Sequence, residues 1–215
     1  MAKPQAGPFL RAFLDGYDSN RGLADEETWR RIWTTTGGWN ALMLGNPVSV
    51  KVPWQKSVLL LTAEAMGLRV WPREVLTIDS VFHDDDYIVC GTQPLPFLVA
   101  VEHENAAAGF GHEVAKLLSV RCRLKVGITY RLLNGPNFIA AHRDEFLETI
   151  RGYIIDHFGR VWRVSPEDPS TEYLFIVGVE ESPFSLVWYC THFSARHGPR
   201  AARFRMHDRG PIRPE

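Results

Sequence analysis

Two hydrophobic runs near the middle of the chain predict neighbouring β-strands. Residues 75–83 (VLTIDSVFH) and 97–104 (FLVAVEHE) are rich in β-branched and apolar side chains, a composition typical of strands. The aspartates at residues 84–86 favour a turn after the first run. The two strands are therefore expected to pair as a hairpin, either directly or through a short third segment at residues 87–90.

The other periodic segments predict helices around these strands and a second strand pair. Ser57 is a good N-cap, and Gly67 a good C-terminal signal, for the helix between them. Trp29 and Trp33, four residues apart, are expected to pack into the core, the alternative being a base-stacking surface. Helices are predicted at residues 24–33, 58–66, 112–120 and 141–158, strands at 124–130, 172–179 and 184–191, and breaks at 34–38, 45–47 and 134–137.

The composition fits one globular domain spanning residues 1–215. Of the 215 residues, 45% are hydrophobic and 23% are charged, which is enough apolar material for a real core. No apolar run approaches the roughly 18 residues of a membrane span, and an N-terminal signal segment is not recognisable, so a soluble, cytoplasmic protein without a membrane partner is expected. Cys90, Cys122 and Cys190 lack the spacing of a zinc site or disulfide framework and are expected to be core thiols.

Three acidic side chains fall where the two central strands are predicted to meet. Asp79 lies in the first strand, and Glu102 and Glu104 close the second. Because successive strand residues point to opposite faces, Glu102 and Glu104 share a face and His103 points the other way. Pairing would bring Asp79 beside Glu102, where carboxylates repel unless a cation neutralises them. Hard cations prefer oxygen ligands, so Mg²⁺ or Mn²⁺ is the expected ion.

In this order of residues the chain resembles the PD-(D/E)XK nuclease superfamily. The family pattern is an acid on one core strand, (D/E)-x-K on the next, then a helix and a further strand, and Asp79 and Glu102 match the two acids. Glu104 stands where the family has its lysine, a Glu-x-Glu variant that some restriction endonucleases of the family carry. Lys116 on the following helix is a candidate for a relocated lysine. The resemblance covers approximately residues 57–130.

The resemblance implies both a fold and an activity. The fold would be a restriction-endonuclease-like α/β fold, a mixed central sheet flanked by helices, to which the C-terminal part adds a helix and a strand pair. The activity would be Mg²⁺- or Mn²⁺-dependent hydrolysis of phosphodiester bonds in nucleic acid, with DNA preferred over RNA as the partner. A homodimer would suit the cutting of both strands of a duplex.

The resemblance also implies roles for individual residues. The implied roles are metal binding by Asp79 and Glu102, metal binding or water activation by Glu104, charge stabilisation by Lys116, water-mediated metal contact by Glu64, and metal ligation by the backbone carbonyl of His103. The structural alternatives are a strand-edge hydrogen bond for Asp79, a solvated strand end for Glu102 and Glu104, and solvated helix positions for Lys116 and Glu64. One of the aspartates at 84–86 would replace Asp79 if the strand register differed.

Basic side chains crowd the C-terminal segment at residues 193–215. The net charge of −1 does not by itself indicate a nucleic-acid-binding protein, but local clusters of arginine suit phosphate contacts. The candidate phosphate-binding residues are Arg196, Arg200, Arg203 and Arg205, followed by Arg209 and Arg213. The alternative is a solubilising tail.

Three functional hypotheses follow from these observations. The first is a metal-dependent nuclease. The second is a catalytically inactive nuclease-like protein with a binding or regulatory role, which the absence of the family lysine at Glu104 favours. The third is an unrelated α/β protein with an acidic surface patch, which would require the three carboxylates to lie far apart.

Overall fold

A computed structural model of the protein describes residues 5–45, 51–71, 77–84, 97–105, 107–131, 140–164, 168–200 and 202–207. Several features predicted from sequence lie outside the described residues. These are residues 75–76 of the first strand, Asp85 and Asp86 of the turn, the segment 87–90, residues 46–47, the turn at 134–137, and Arg209 and Arg213.

The protein has an α/β fold built on one seven-stranded mixed sheet. The strands are β1 (Arg69–Val70), β2 (Ser80–His83), β3 (Val99–Glu104), β4 (Leu124–Arg131), β5 (Glu172–Ser182), β6 (Ser185–Ser194) and β7 (Arg205–Met206). They lie in chain order across the sheet. The three central strands β3, β4 and β5 are parallel, and all other neighbours are antiparallel.

The described residues form six α-helices in two layers. They are α1 (Ala6–Leu23), α2 (Glu26–Trp33), α3 (Thr36–Met43), α4 (Val58–Ala65), α5 (Phe110–Ser119) and α6 (Ala140–Val164). The first four pack on one face of the sheet, here called the four-helix face. The last two pack on the opposite, two-helix face, because successive right-handed crossovers between parallel strands place both connecting helices on the same side. None of the described helices combines the length and apolarity required to cross a membrane.

The predicted pairing of the two central strands is confirmed. Strand β2 runs antiparallel to β3, with Ser80 opposite Val101 and Phe82 opposite Val99. Strand β4 then lies parallel to β3 on its other side, with Gly127 beside Glu102. Helices cover both faces of the sheet, so residues 99–103 of β3 are buried, which explains why the strand is a nearly continuous apolar run.

The helices begin where the sequence supplies a capping side chain. The predicted helix at 24–33 is α2, and its N-cap Asp25 accepts a hydrogen bond from the Thr28 backbone N–H at 2.7 Å. The predicted helix at 58–66 is α4, capped by Ser57. Trp29 and Trp33 are only 2% and 6% exposed, so their interpretation as core residues is confirmed.

The N-terminal region contains more helix than the sequence analysis predicted. The break at 34–38 is short, because Thr35 accepts a hydrogen bond from the Gly38 N–H at 3.0 Å and starts α3. Helix α1 was not predicted, although Phe9, Phe13 and Tyr17 are buried at helical spacing along it. Its glycines at positions 7, 16 and 22 weaken the local helical signal.

Much of the segment predicted as a basic tail belongs to the fold. Strand β6 continues to Ser194, β7 pairs with it, and Ala202 is buried against the two-helix face. Arg151 of α6 donates hydrogen bonds to the carbonyl oxygens of Arg200 at 2.8 Å and Ala202 at 2.9 Å. Helix α6 thereby fixes the chain that follows β6.

Glu172 ties the start of α1 to the sheet and makes stability depend on pH. Its Oε2 accepts a hydrogen bond from the Ala6 backbone N–H at 2.8 Å and lies 3.3 Å from His192 Nε2. Burial raises the pKa of Glu172, but the bonds from His192 and Ala6 and the charge of His192 outweigh burial, so the pKa is lowered. Because the folded-state pKa is lowered, this stabilisation is present above the usual glutamate pKa of 4.5 and disappears as the pH falls through the folded-state value.

We expect Glu172→Gln to lower the free energy of unfolding at pH 7 by about 1 kcal/mol, the usual value of one such bond. The difference from wild type should vanish when both proteins are compared below the lowered pKa. Chemical denaturation between pH 3 and pH 8 measures this, with the exposed Glu145→Gln as control. A constant difference across that range would show that the Glu172 charge is not responsible.

Candidate functional site

Asp79 and Glu102 meet on the two-helix face, as the predicted strand pairing required. The Asp79 Oδ2 atom accepts a hydrogen bond from the His103 backbone N–H at 2.9 Å. Glu102 lies close enough for a side-chain hydrogen bond to lower the pKa of Asp79. The side chain of Glu102 is 0% exposed, so the interpretation of this residue as a solvated strand end is wrong.

Lys116 reaches this carboxylate pair from α5. Its Nζ donates a hydrogen bond to Glu102 Oε2 at 3.1 Å and lies 3.1 Å from Glu102 Oε1. It also donates to the backbone carbonyl oxygen of Thr77 at 3.1 Å. The Lys116 side chain is 24% exposed, so it is a partly buried partner of Glu102 rather than a solvated helix position.

Glu113 is the member of the cluster that the sequence analysis missed. It lies three residues before Lys116 on α5, and its Oε2 is in close contact with Lys116 Nζ. It lies close enough to Glu102 to be among the causes that raise the Glu102 pKa, and its side chain is 13% exposed. The available signal was the i, i+3 spacing from Lys116, which places both side chains on one helix face.

The backbone beside Asp79 adopts a conformation that is rare for its residue type. Thr77 has a φ of +66°, and β-branched residues seldom adopt positive φ. In this conformation its carbonyl oxygen accepts the hydrogen bond from Lys116. Backbone strain of this kind concentrates at functional sites, where surrounding contacts maintain it.

The cluster shifts the pKa of its own members. Burial, the hydrogen bond with Glu113 and the negative charge of Asp79 raise the pKa of Glu102. Burial also raises the pKa of Asp79, more than the bonds from His103 and Glu102 lower it. Burial lowers the pKa of Lys116, but its bonds to Glu113 and Glu102 outweigh this and raise it. One ammonium thus faces three carboxyl groups. The raised pKa values of Asp79 and Glu102 show that their ionised forms are disfavoured, and a further cation would favour those ionised forms.

Glu104 lies on the same face as Glu102, next to the turn that starts α5. A Cβ atom placed on Gly109 would come within 2.6 Å of Glu104 Oε2. The absence of a side chain at Gly109 therefore leaves room for the Glu104 carboxylate. The Glu104 backbone carbonyl accepts a hydrogen bond from Thr129 at 3.0 Å, which ties the end of β3 to β4.

His103 points to the four-helix face, as the strand alternation predicted. Its Nε2 is in close contact with the Tyr130 hydroxyl, which donates to Asn105 Oδ1 at 2.7 Å. The Asn105 amide in turn donates to Asn40 Oδ1 at 2.9 Å. Burial lowers the pKa of His103 to about 3, so its ring is neutral at physiological pH. The imidazole belongs to a buried polar network and is separated from the carboxylate cluster by the sheet.

The structure places Glu64 away from this cluster. Its carboxylate pairs with Lys56 at 2.7 Å, and both side chains are about half exposed. Helix α4, which carries Glu64, packs on the four-helix face, whereas Lys116 and Glu113 lie on the two-helix face. The contact found for Glu64 is therefore a surface ion pair.

The candidate phosphate-binding arginines also lie away from the cluster. Arg196 and Arg200 follow β6, whose last residues align with the starting ends of β3 to β5 rather than with Glu102. Arg205 is on β7, four strands from β3, or about 19 Å at the usual strand spacing. Arg196, Arg200, Arg203 and Arg205 are all exposed, and they form a separate basic region.

The carboxylates at the cluster are of the ligand type that hard divalent cations prefer. Within the described part of the chain, no three histidine, cysteine, aspartate or glutamate side chains are grouped as a ready metal site. Mg²⁺, however, is commonly held by one or two carboxylates with waters completing its coordination. Asp79 and Glu102 supply two carboxylates. Glu102 Oε1 is buried and, although it lies 3.1 Å from Lys116 Nζ, it accepts no hydrogen bond of suitable geometry from the described residues.

Comparison with known proteins does not assign this chain to a family. No protein-family model matches the sequence, and no curated protein matches it. The class established by the structure is an α/β protein with a seven-stranded mixed sheet flanked by helices.

Proposed function

We propose that this protein is a metal-dependent nuclease that hydrolyses phosphodiester bonds. The observation that carries the proposal is the adjacency of the Asp79 and Glu102 carboxylates with the Lys116 ammonium 3.1 Å from both oxygens of Glu102. Two acids and a lysine at one point, buried and with shifted pKa values, are the arrangement expected of a catalytic site.

The order of elements supports a restriction-endonuclease-like fold within the wider α/β class. Helix α4 precedes the antiparallel strands β1, β2 and β3, and α5 then leads to β4, parallel to β3. Asp79 immediately precedes β2, and Glu102 lies near the end of β3. This is the order of acids, helix and strand on which the resemblance to the PD-(D/E)XK superfamily rests.

Each residue has a definite task in this proposal. Asp79 and Glu102 would hold Mg²⁺ or Mn²⁺, and such an ion supplies water activation and neutralisation of developing negative charge. Lys116 provides the positive charge that the family pattern places at position 104. Glu104 lies on the same face as Glu102 and would hold the ion or accept a proton from the attacking water.

A binding protein without catalysis is the second candidate, and one observation favours it. Lys116 Nζ already contacts three acceptor groups, which are the backbone carbonyl of Thr77 and the carboxylates of Glu102 and Glu113. A lysine held in this way satisfies the buried carboxylates structurally and need not act on a substrate. The two candidates differ in whether the protein binds Mn²⁺ and cleaves nucleic acid.

The test combines calorimetric titration of Mn²⁺ with cleavage assays on plasmid, single-stranded DNA and RNA. The nuclease proposal expects Mn²⁺ binding, metal-dependent cleavage, and loss of both in Asp79→Ala. Wild-type protein that binds no Mn²⁺ at millimolar concentration, with nucleic acid present, would exclude the nuclease and leave the binding protein. The three substrates separate DNA from RNA cleavage.

Gly109→Ala tests the role of Glu104 without removing it. The new methyl group would force the Glu104 carboxylate to move, whereas the φ of −81° at Gly109 suits alanine. We expect cleavage to fall about tenfold, within the range seen when a group beside a metal site is displaced. The free energy of unfolding should change by less than about 0.5 kcal/mol, because the displaced atom ends a flexible side chain.

The matched control is Gly152→Ala on α6, where an added Cβ meets no atom within 4 Å. Cleavage rates of both variants, measured with melting curves, provide the comparison. Unchanged cleavage in Gly109→Ala would remove Glu104 from the catalytic group.

A further inference from the structure

We propose that Glu113 is a positioning residue, which holds the Lys116 ammonium at the cluster when Glu102 turns from that ammonium to a divalent cation. The inference rests on the proposed metal-dependent function. It gives a role to a side chain that neither the strand pattern nor the resemblance identified.

The geometry of α5 makes Glu113 the local partner of Lys116. Residues three apart on a helix lie on the same face, and Glu113 Oε2 contacts Lys116 Nζ closely. Both side chains belong to one rigid element, so their contact does not depend on the strands. The bond between Lys116 and Glu102, in contrast, joins α5 to β3.

In the proposed metal-bound state, Lys116 and the cation would compete for the Glu102 carboxylate. Both of its carboxylate oxygens lie 3.1 Å from Lys116 Nζ, and the same carboxylate would have to bind the cation. A cation bound by Asp79 and Glu102 would lie near the Lys116 ammonium and would repel it. Without another anchor, the flexible four-carbon stem of Lys116 would carry the ammonium toward solvent.

Two acceptors remain for Lys116 when Glu102 is withdrawn. One is the carbonyl oxygen of Thr77 at 3.1 Å, presented by a backbone in the positive-φ region. The other is Glu113, the only one of the two with a negative charge. A carboxylate retains an ammonium more strongly than a neutral carbonyl does, so Glu113 decides whether Lys116 stays.

The test measures the exposure of the Lys116 amine rather than activity alone. Purified protein is labelled with an amine-acylating reagent, with and without saturating Mn²⁺, and Lys116 modification is quantified by mass spectrometry. Wild type should be protected in both conditions. Glu113→Ala should be protected without Mn²⁺, because Glu102 still holds Lys116. With Mn²⁺ its labelling should rise about tenfold, as expected for loss of one charged hydrogen bond.

Two further variants separate positioning from folding. Glu113→Gln keeps an oxygen acceptor at the same reach, so its labelling with Mn²⁺ should fall between wild type and Glu113→Ala. Asp156→Ala removes the acid of an exposed helical ion pair, Asp156 with Arg160, and should leave Lys116 labelling unchanged. Melting curves identify any variant that is unfolded.

Kinetics and metal titration complete the distinction. In Glu113→Ala the Mn²⁺ dissociation constant should stay within about twofold of the wild-type value, while kcat falls. The double variant Glu113→Ala/Lys116→Ala should have the same kcat as Glu113→Ala, because the two residues act as a unit. Protection of Lys116 in metal-bound Glu113→Ala, or a large loss of Mn²⁺ affinity, would overturn the positioning role. Wild type that binds no Mn²⁺ would overturn the proposed function and this inference together.

Discussion

Glu102→Gln is expected to abolish metal-dependent cleavage and, at the same time, to make the metal-free protein more stable than wild type. In the proposed two-carboxylate site, loss of one carboxylate would remove the metal and the stabilisation of developing charge that it would supply. Removal of about 4 kcal/mol of such stabilisation corresponds to roughly a thousandfold loss of rate.

The stability gain follows from the position of the Glu102 charge. The side chain is fully buried beside Asp79 and Glu113, and its pKa is raised by that burial and by these neighbours. A raised folded-state pKa means that the stability contribution is present below the usual glutamate pKa of 4.5 and is lost as the pH rises above it. A glutamine does not ionise and so does not lose this stability as the pH rises. Glu102→Gln should therefore have a larger free energy of unfolding than wild type at pH 7.5, and the difference should be absent at pH 4.

Melting curves and Mn²⁺ titrations of the two proteins measure both effects. We expect a gain of about 1 kcal/mol at pH 7.5, equivalent to a rise in Tm of about 2–4 °C for a chain of this size. Glu145→Gln, an exposed α6 substitution, is the control and should change neither property. A lower Tm with retained Mn²⁺ binding would show that Glu102 is chiefly a structural partner of Lys116.

Lys116→Met is the second substitution with a large expected effect, and its signature differs from that of Glu102→Gln. Methionine keeps most of the length and packing of the side chain but removes the ammonium. Cleavage should fall by about 10²–10³-fold, the usual cost of removing one donor aimed at developing charge. Mn²⁺ binding should be retained or strengthened, because the ammonium no longer competes for Glu102.

The metal-free Lys116→Met protein should also be less stable. Glu102 and Glu113 would lose their shared donor, and an unsatisfied buried acceptor costs about 1–3 kcal/mol. Mn²⁺ should restore part of this loss by occupying the place of the missing charge. Arg160→Met, in an exposed pair with Asp156, is the control. Full activity in Lys116→Met would show that the Lys116 ammonium takes no part in cleavage.

The sequence predicted the strands of the candidate site more successfully than it predicted the helix side chains. Asp79 beside Glu102 followed from two strands joined by a turn, and the opposite direction of His103 followed from the two-residue period of a strand. Lys116 could be read as either a catalytic or a solvated residue. Its role depends on how closely α5 approaches β3, and packing of an apolar stripe decides that distance.

Local sequence patterns did not predict where the C-terminal arginines and Glu64 lie in the fold. The crowding of arginines near the C-terminus was evident, but charge counting does not say which edge of a sheet a segment will occupy. The structure ties the residues after β6 to α6 through Arg151 and separates them from Glu102. Glu64 was on the predicted helix, but its side chain pairs with Lys56.

By itself, the sequence determined the pairing of the two central strands and the face on which each acidic residue lies, because backbone periods and capping side chains act over a few residues. Only the tertiary structure decided that Lys116 and Glu113 join Asp79 and Glu102, and that the arginines do not. The contacts within this cluster join helix α5 to strand residues distant in the chain, and the separation of the arginines depends on strands far apart in the sheet. They are set by the packing of α5 and α6 on one sheet face, which depends on side-chain shape across the whole core.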